Sequence, residues 1–232
     1  HPENKICLLK QKQLNNSFLK MIWLDPDDIS FPDPELYDPE DGLIAIGGDL
    51  KPERLWFAYQ LGLFPWYNEG EEILWWCPDP RFVLFPNEIK ISKSMKKILR
   101  DEVFEFTENR CFEEVMRNCK TLERKGQDGT WINEELIASF VKLHHYGKAK
   151  SFEVWQNGNL VGGFYGILVG NVFCGESMFS KVSNASKAGF IYFTTKYQNQ
   201  WELIDCQIHS EHLESLGAKM IPKIDYLNLL CI

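Results

Sequence analysis

Positive charge is in short supply here. The chain has 25 Lys and Arg against 33 Asp and Glu, a net charge of −8 over 232 residues. Such a field repels polyanions at long range, so any nucleic-acid partner has to be met by a local basic patch. The seven cysteines include no Cys-x-x-Cys pair. A chain this long can bury a core without disulfide staples, so a reduced, cytoplasmic setting is expected. The first sixteen residues, His1 to Asn16, lack the apolar block of a secretory signal. No apolar run reaches the roughly 18 residues of a membrane span. Metal and nucleotide signatures are missing too. His144-His145 and His209-x-x-His212 are the only histidine pairs, and neither lies in a His-Glu-x-x-His or zinc-ligand pattern. Gly162-Gly163-Phe164-Tyr165-Gly166 lacks the Lys-Ser/Thr of a phosphate loop and reads as a close-packed or bulged strand. There is no Gly-x-Ser-x-Gly elbow. No metal and no cofactor are expected.

Proline is scarce after Pro86, and this divides the chain: ten of eleven prolines lie at or before that residue. Five of the eight tryptophans also fall early. Residues 1–80 read as a small, turn-rich N-terminal domain with little regular structure and one clear helix, opened by Pro52 and stopped by Gly62. Residues 81–232 read as α+β. Helical spacing appears over 92–100 and 111–123, and a helix capped by Asn133 runs to Tyr146. The period then changes to strands: 151–156 and 160–169 around the hairpin pair Asn157-Gly158, then 172–177. A helix over 183–197 and a strand over 203–207 follow.

Three features could carry chemistry. Glu176 and Asp205 each sit in an apolar strand pattern, where a carboxylate is costly unless hydrogen-bonded; a satisfied structural carboxylate is the plain alternative for either. Trp66, Trp75 and Trp76 lie in a Pro-rich stretch where burying every ring is difficult, and Trp131 follows the glycine-bearing loop 125–129. Flat rings of this kind can sandwich a base, although tryptophan is more often simply core. Lys93, Lys96, Lys97 and Arg100 recur on one helix face, which is either a solvated surface or a phosphate-binding stripe.

Taken in order, the motifs resemble the leucyl/phenylalanyl-tRNA–protein transferase family. They are Asp41-Gly-Leu-Ile-Ala-Ile-Gly-Gly-Asp-Leu50, Gly62-Leu-Phe-Pro-Trp66, Ile73-Leu-Trp-Trp-Cys-Pro-Asp-Pro-Arg81, Thr130-Trp-Ile132 and Val161-Gly-Gly-Phe-Tyr-Gly166, followed by Gly175-Glu-Ser-Met-Phe179, Asn184-Ala-Ser-Lys187, Ile204-Asp-Cys-Gln207 and Ser215-Leu-Gly-Ala218. Together they run from about residue 31 to 227. The resemblance implies an enzyme that moves Leu, Phe or Met from aminoacyl-tRNA to the α-amine of proteins beginning with Arg or Lys, marking them for degradation. It also implies a small irregular N-terminal domain followed by a C-terminal Gcn5-related acetyltransferase-like domain with a mostly antiparallel sheet. The acetyl-CoA loop of that fold is absent after Glu176.

By the same resemblance Asp205 and Gln207 are the catalytic candidates, with Asp205 expected to take the amine and Gln207 the ester carbonyl. Glu176 is implied as the ligand of the donor's terminal adenosine, with Trp66 and Trp131 framing its base. Phe173, Met178, Phe193 and Ile204 are implied as the apolar pocket, narrowed by Phe164 and Phe190 where other members often carry Met and Leu. Lys93, Lys96, Lys97 and Arg100 match the tRNA-binding stretch. An ester is already activated, so such a transfer needs no ATP, metal or covalent intermediate. The rival readings are an acetyl-CoA-dependent N-acetyltransferase and a non-catalytic RNA-binding module.

Overall fold

A computed structural model describes residues 22–37, 41–121 and 131–230. The N-terminal segment with Cys7, the loop 125–129 and Cys231 lie outside the described residues.

The early, Pro-rich part holds more regular structure than expected. Strands β1 (Trp23–Leu24), β2 (Leu43–Gly47), β3 (Phe64–Pro65) and β4 (Leu74–Trp76) form a sheet in the order β1-β2-β4-β3. Strands of two to five residues are too short for periodicity to reveal them. The difficulty expected in burying the early tryptophans is met differently by each ring. Trp75 is wholly buried and gives its indole N–H to the Gly47 carbonyl at 2.9 Å, whereas Trp23 stays largely in solvent. Helix α1 (Pro52–Gln60) starts on proline, whose missing N–H costs nothing there. Its buried Arg54 donates to the carbonyls of Asp25, Pro26 and Asp28 and pairs with Asp49, pinning the segment after β1.

The second sheet contains β5 (Arg81–Leu84), β6 (Glu105–Glu108), β7 (Ala149–Gln156), β8 (Asn159–Val169), β9 (Val172–Ser180), β10 (Leu203–Asp205) and β11 (Lys219–Ile221). Their order is β11-β5-β10-β9-β8-β7-β6. Every pairing is antiparallel except β9 with β10. The mixed α+β class and the mostly antiparallel sheet therefore stand as expected. Asn157 and Gly158 both take positive φ, the twist a two-residue hairpin requires. The glycines of β8 serve close packing: the register shifts between Tyr165 and Gly166, and a Cβ on Gly166 would lie 2.2 Å from the Cys174 carbonyl oxygen.

Helices α2 (Lys93–Arg100) and α5 (Ala185–Lys196) cover one face of this sheet, and α3 (Phe112–Lys120) and α4 (Glu134–His145) the other. Asn133 caps α4 through its side chain, as its position before the apolar repeat suggested. The short helix α6 (Glu211–Glu214) and the helix α7 (Lys223–Leu230) complete the fold. One hydrophobic cluster joins Leu55, Tyr59 and Trp75 of the early part to Phe112, Phe140 and Tyr165 of the later part, so the two sheets share a core. Among the described residues no helix is long and apolar enough to cross a membrane, and no group of three His, Cys, Asp or Glu is gathered as a metal would require.

Candidate active site

The one parallel pairing of the second sheet creates the site. β9 and β10 stay in register from Leu203 opposite Val172 to Asp205 opposite Cys174; β10 then ends while β9 continues to Ser180. The gap opened beyond that point is a cavity of about 490 Å³, within the size range of small-molecule sites.

Its lining is divided by chemistry. Phe164, Phe173, Phe190, Met178 and Ile204 give it an apolar end. Glu176, Ser177, Gln207 and His212 contribute polar groups, while Phe64, Trp66 and Trp131 come from the loops and strands of the other side. Trp66, Trp131, Glu176, Phe173, Met178, Ile204, Asp205 and Gln207, far apart in sequence, thus border one space. Phe193 does not. It is buried on α5 behind the wall, against Phe106, Phe152 and Phe164. Helical phase explains the correction: Phe190 is turned to the cavity, and a residue three positions later is rotated about 60° away.

Gln207 differs most from its expected conformation. The strand expected over 203–207 stops at Asp205, and Gln207 has φ of 63°, the left-handed region that non-glycine residues rarely adopt. Two contacts hold it there: its N–H donates to Asp205 Oδ1 at 2.9 Å, and its carbonyl accepts from the Phe82 N–H at 3.3 Å. The side chain then reaches across the gap, and Nε2 donates to Glu176 Oε1 at 2.7 Å. Among the described residues the Gln207 amide oxygen has no donor.

The acid met by the Gln207 side chain is therefore Glu176, whereas Asp205, expected to share the chemistry with Gln207, touches it only at its backbone. Asp205 is wholly buried. Its Oδ1 accepts from Arg81 Nε at 2.8 Å as well as from Gln207 N–H; Oδ2 accepts from Arg81 Nη2 at 2.7 Å and from the Tyr226 hydroxyl at 2.9 Å. Four donors saturate this carboxylate. Arg81 is buried too, with its guanidinium between the Phe64 and Tyr226 rings at 4.8 and 4.5 Å from their centroids. Burial disfavours its charge, yet Asp205 holds its pKa well above the usual value.

Glu176 behaves oppositely. Burial, with Asp205 adding to it, pushes its carboxyl up to about 8 against the opposing contacts of Tyr59, Gln207 and Arg81. At neutral pH most of it is protonated. Tyr59, reaching in from α1, is wholly buried beside it.

Lys93, Lys96, Lys97 and Arg100 do not border the cavity. They lie exposed on α2, which packs against α5 through Met95 and its apolar neighbours. Arg100 is engaged by Asp101, whereas the three lysines have no ion-pair partner among the described residues. Sequence reasoning missed Arg81, Tyr226 and Tyr59 as parts of the site. Arg81 lay within a noted motif, but Tyr59 and Tyr226 carry no local signal, since each is ordinary helix content until the fold brings it against a carboxylate.

The chain matches two family models: leucyl/phenylalanyl-tRNA protein transferase over residues 83–231 and the N-terminal domain of the same family over residues 48–79. A leucyl/phenylalanyl-tRNA–protein transferase of Flavobacterium johnsoniae is 54% identical over 204 residues, covering 88% of this chain and 96% of its own. One from Christiangramia forsetii is 52% identical over 213 residues, covering 90% and 100%. One from Cellvibrio japonicus is 50% identical over 211 residues, covering 90% and 89%. Among solved structures, a GCN5-related N-acetyltransferase from Kribbella flavida overlaps partially: TM-score 0.35, 7% identity, 72% of this chain and 59% of that one. A conserved protein of unknown function from Bacteroides thetaiotaomicron gives a TM-score of 0.42 with 15% identity over 60% of this chain and 53% of that one. The matched family models span most of the sequence, and the chain belongs to the leucyl/phenylalanyl-tRNA–protein transferase family.

Proposed function

We propose that this aminoacyltransferase moves Leu, Phe or Met from aminoacyl-tRNA to the α-amine of proteins beginning with Arg or Lys, forming a peptide bond. The observation that carries the reading is the Glu176–Gln207 hydrogen bond of 2.7 Å, set at the polar edge of an apolar slot inside one cavity. In this reading the donor's side chain enters among Phe164, Phe173, Phe190, Met178 and Ile204. Its ester lies near Gln207, and its terminal base lies between Trp66 and Trp131. Glu176, carrying a proton at neutral pH, presents a neutral polar edge to the nucleoside and orders the Gln207 amide. A slot without polar partners separates Leu, Phe and Met only weakly, since one methylene is worth about 1–3 kcal/mol.

The amine's partner is then Gln207 rather than Asp205, whose four acceptor sites are filled. The free amide oxygen of Gln207 accepts a hydrogen bond from the neutral α-amine and aims its lone pair at the ester carbon. Attack forms the C–N bond and a tetrahedral oxyanion; collapse breaks the C–O bond, and the amine's proton leaves with the 3′-oxygen as a hydroxyl. The ester supplies the free energy, so orientation and electrostatics are what the protein has to add. Lys93, Lys96, Lys97 and Arg100 would hold the donor's phosphates outside the cavity. Charged tRNA as a substrate places the work in the cytoplasm.

Transfer of labelled Leu from Leu-tRNA to a peptide beginning with Arg tests this. Transfer is expected with Arg- and Lys-initiated peptides, and Gln207→Ala is expected to reduce kcat on the order of 100-fold. Acetylation of the same peptide from acetyl-CoA, with no transfer from Leu-tRNA, would establish the acetyltransferase reading. Binding of Leu-tRNA without any transfer would establish the RNA-binding module.

A further inference from the structure

Gln207 has to be held in a conformation its own backbone disfavours, and the hold is indirect. A non-glycine residue at φ of 63° is strained and persists only when its surroundings fix it. The side chain that fixes it, through Oδ1 and the Gln207 N–H, is Asp205. Asp205 in turn has one possible orientation, because three further donors grip it: two from Arg81 on β5 and the hydroxyl of Tyr226 on α7. Tyr226 also closes the other side, its hydroxyl 3.4 Å from Arg81 Nη2 and its ring against the guanidinium. These three side chains come from β5, β10 and α7, far apart in sequence, and are all buried.

We propose that Arg81 and Tyr226 are positioning residues for aminoacyl transfer. They lock the Asp205 carboxylate so that it holds the Gln207 backbone in its left-handed turn and aims the Gln207 amide across the cavity at the reacting ester. Neither residue touches substrate, and the clamp is electrostatic in origin but geometric in effect. It rests on the reading of Gln207 given above. With the clamp loosened, Gln207 relaxes toward ordinary extended backbone, its side chain swings off Glu176, and the amine loses its guide. Substrate still enters the same apolar slot, so the loss falls on turnover and not on binding.

The test is a double-mutant cycle between Tyr226→Phe and Gln207→Ala on the full chain. Tyr226→Phe keeps the ring over Arg81 and deletes only the hydroxyl. It is expected to lower kcat on the order of tenfold, a fraction of the hundredfold that gross misplacement of a reacting group can cost, while KM for Leu-tRNA stays within about twofold. In the Gln207→Ala background the same substitution is expected to change kcat less than about twofold, because the group it positions is gone. Equal factors in both backgrounds, or no loss from Tyr226→Phe alone, would overturn the clamp. Full transfer by Gln207→Ala would instead sink the reading of the site itself, which separates the two failures. Should Tyr226→Phe not fold, Arg81→Lys, which keeps the charge but loses the two-pronged grip, is measured in the same two backgrounds against the same outcomes.

Discussion

Glu176 is a residue whose surroundings change its charge at neutral pH. Its folded pKa of about 8 lies above the ordinary value of 4.5, because burial penalises the charged form. The folded chain therefore retains a proton that the unfolded chain releases. Stability from this group is complete below about pH 4.5 and drains away as pH rises toward about 8. Glu176→Gln keeps the acceptor for Gln207 and removes the titration. Relative to the parent, the variant is expected to gain stability steadily between pH 5 and 8, at most about 1.4 kcal/mol per unit; urea unfolding across that range reads the divergence, and parallel curves would refute the assignment. Trp66, half-buried at the cavity edge, gives a second residue-scale expectation. Losing a base-stacking ring costs about 1–3 kcal/mol, so Trp66→Ala is expected to raise KM for Leu-tRNA roughly 5- to 150-fold, with a much smaller change in kcat.

At the scale of elements, α2 and β8 make different kinds of claim. The α2 lysines are free of ion pairs among the described residues, and the helix is anchored by Met95 on its opposite side. Replacing Lys93 and Lys97 with Glu is expected to leave the fold intact, weaken tRNA binding and flatten its dependence on salt, the log–log slope falling by about 2. Filter binding between low and physiological salt measures both, and an unchanged slope would return the helix to a solvated role. In β8 the claim concerns packing. Gly166 faces backbone, not a movable side chain, at 2.2 Å from the added Cβ. Gly166→Ala is expected to cost about 1–3 kcal/mol, seen as a lowered melting temperature, and to disturb the adjacent Gly175–Glu176 stretch of β9 in the cavity wall.

For the whole molecule the shared core has a thermodynamic consequence. Residues of the early sheet and helix α1 pack in the same cluster as α3, α4 and β8, so the early part shares its core with the later part, which also holds a second cluster beneath α2 and α5. One cooperative transition is expected by calorimetry and tryptophan fluorescence alike; two separated transitions would show that the halves are independent. Tyr59 shows what that union does for the site. It belongs to α1, yet it lies buried beside Glu176 of β9, so the N-terminal part backs the polar edge from behind as well as supplying Trp66.

Much of this architecture follows from local order in the chain. Asn133 before an apolar repeat, Asn157-Gly158 between alternating strands, and Pro52 followed by Gly62 each encode their element through backbone geometry that neighbouring residues alone determine. The ordered motifs also identified the family and drew Glu176, Gln207 and both tryptophans together. Other features depended on distance through space. The strands of the Pro-rich part are too short to show a period. Phe193 and Phe190 look equivalent until helical phase turns one of them away. Asp205 is expected to take the amine until Arg81 and Tyr226, 124 residues before it and 21 after it, are seen to fill its acceptors. A residue's type and its local conformation are properties of a few neighbours. Its protonation, its free hydrogen-bonding capacity and the surface it borders are set by groups that only folding brings within 3 Å, and those were decided by the tertiary structure.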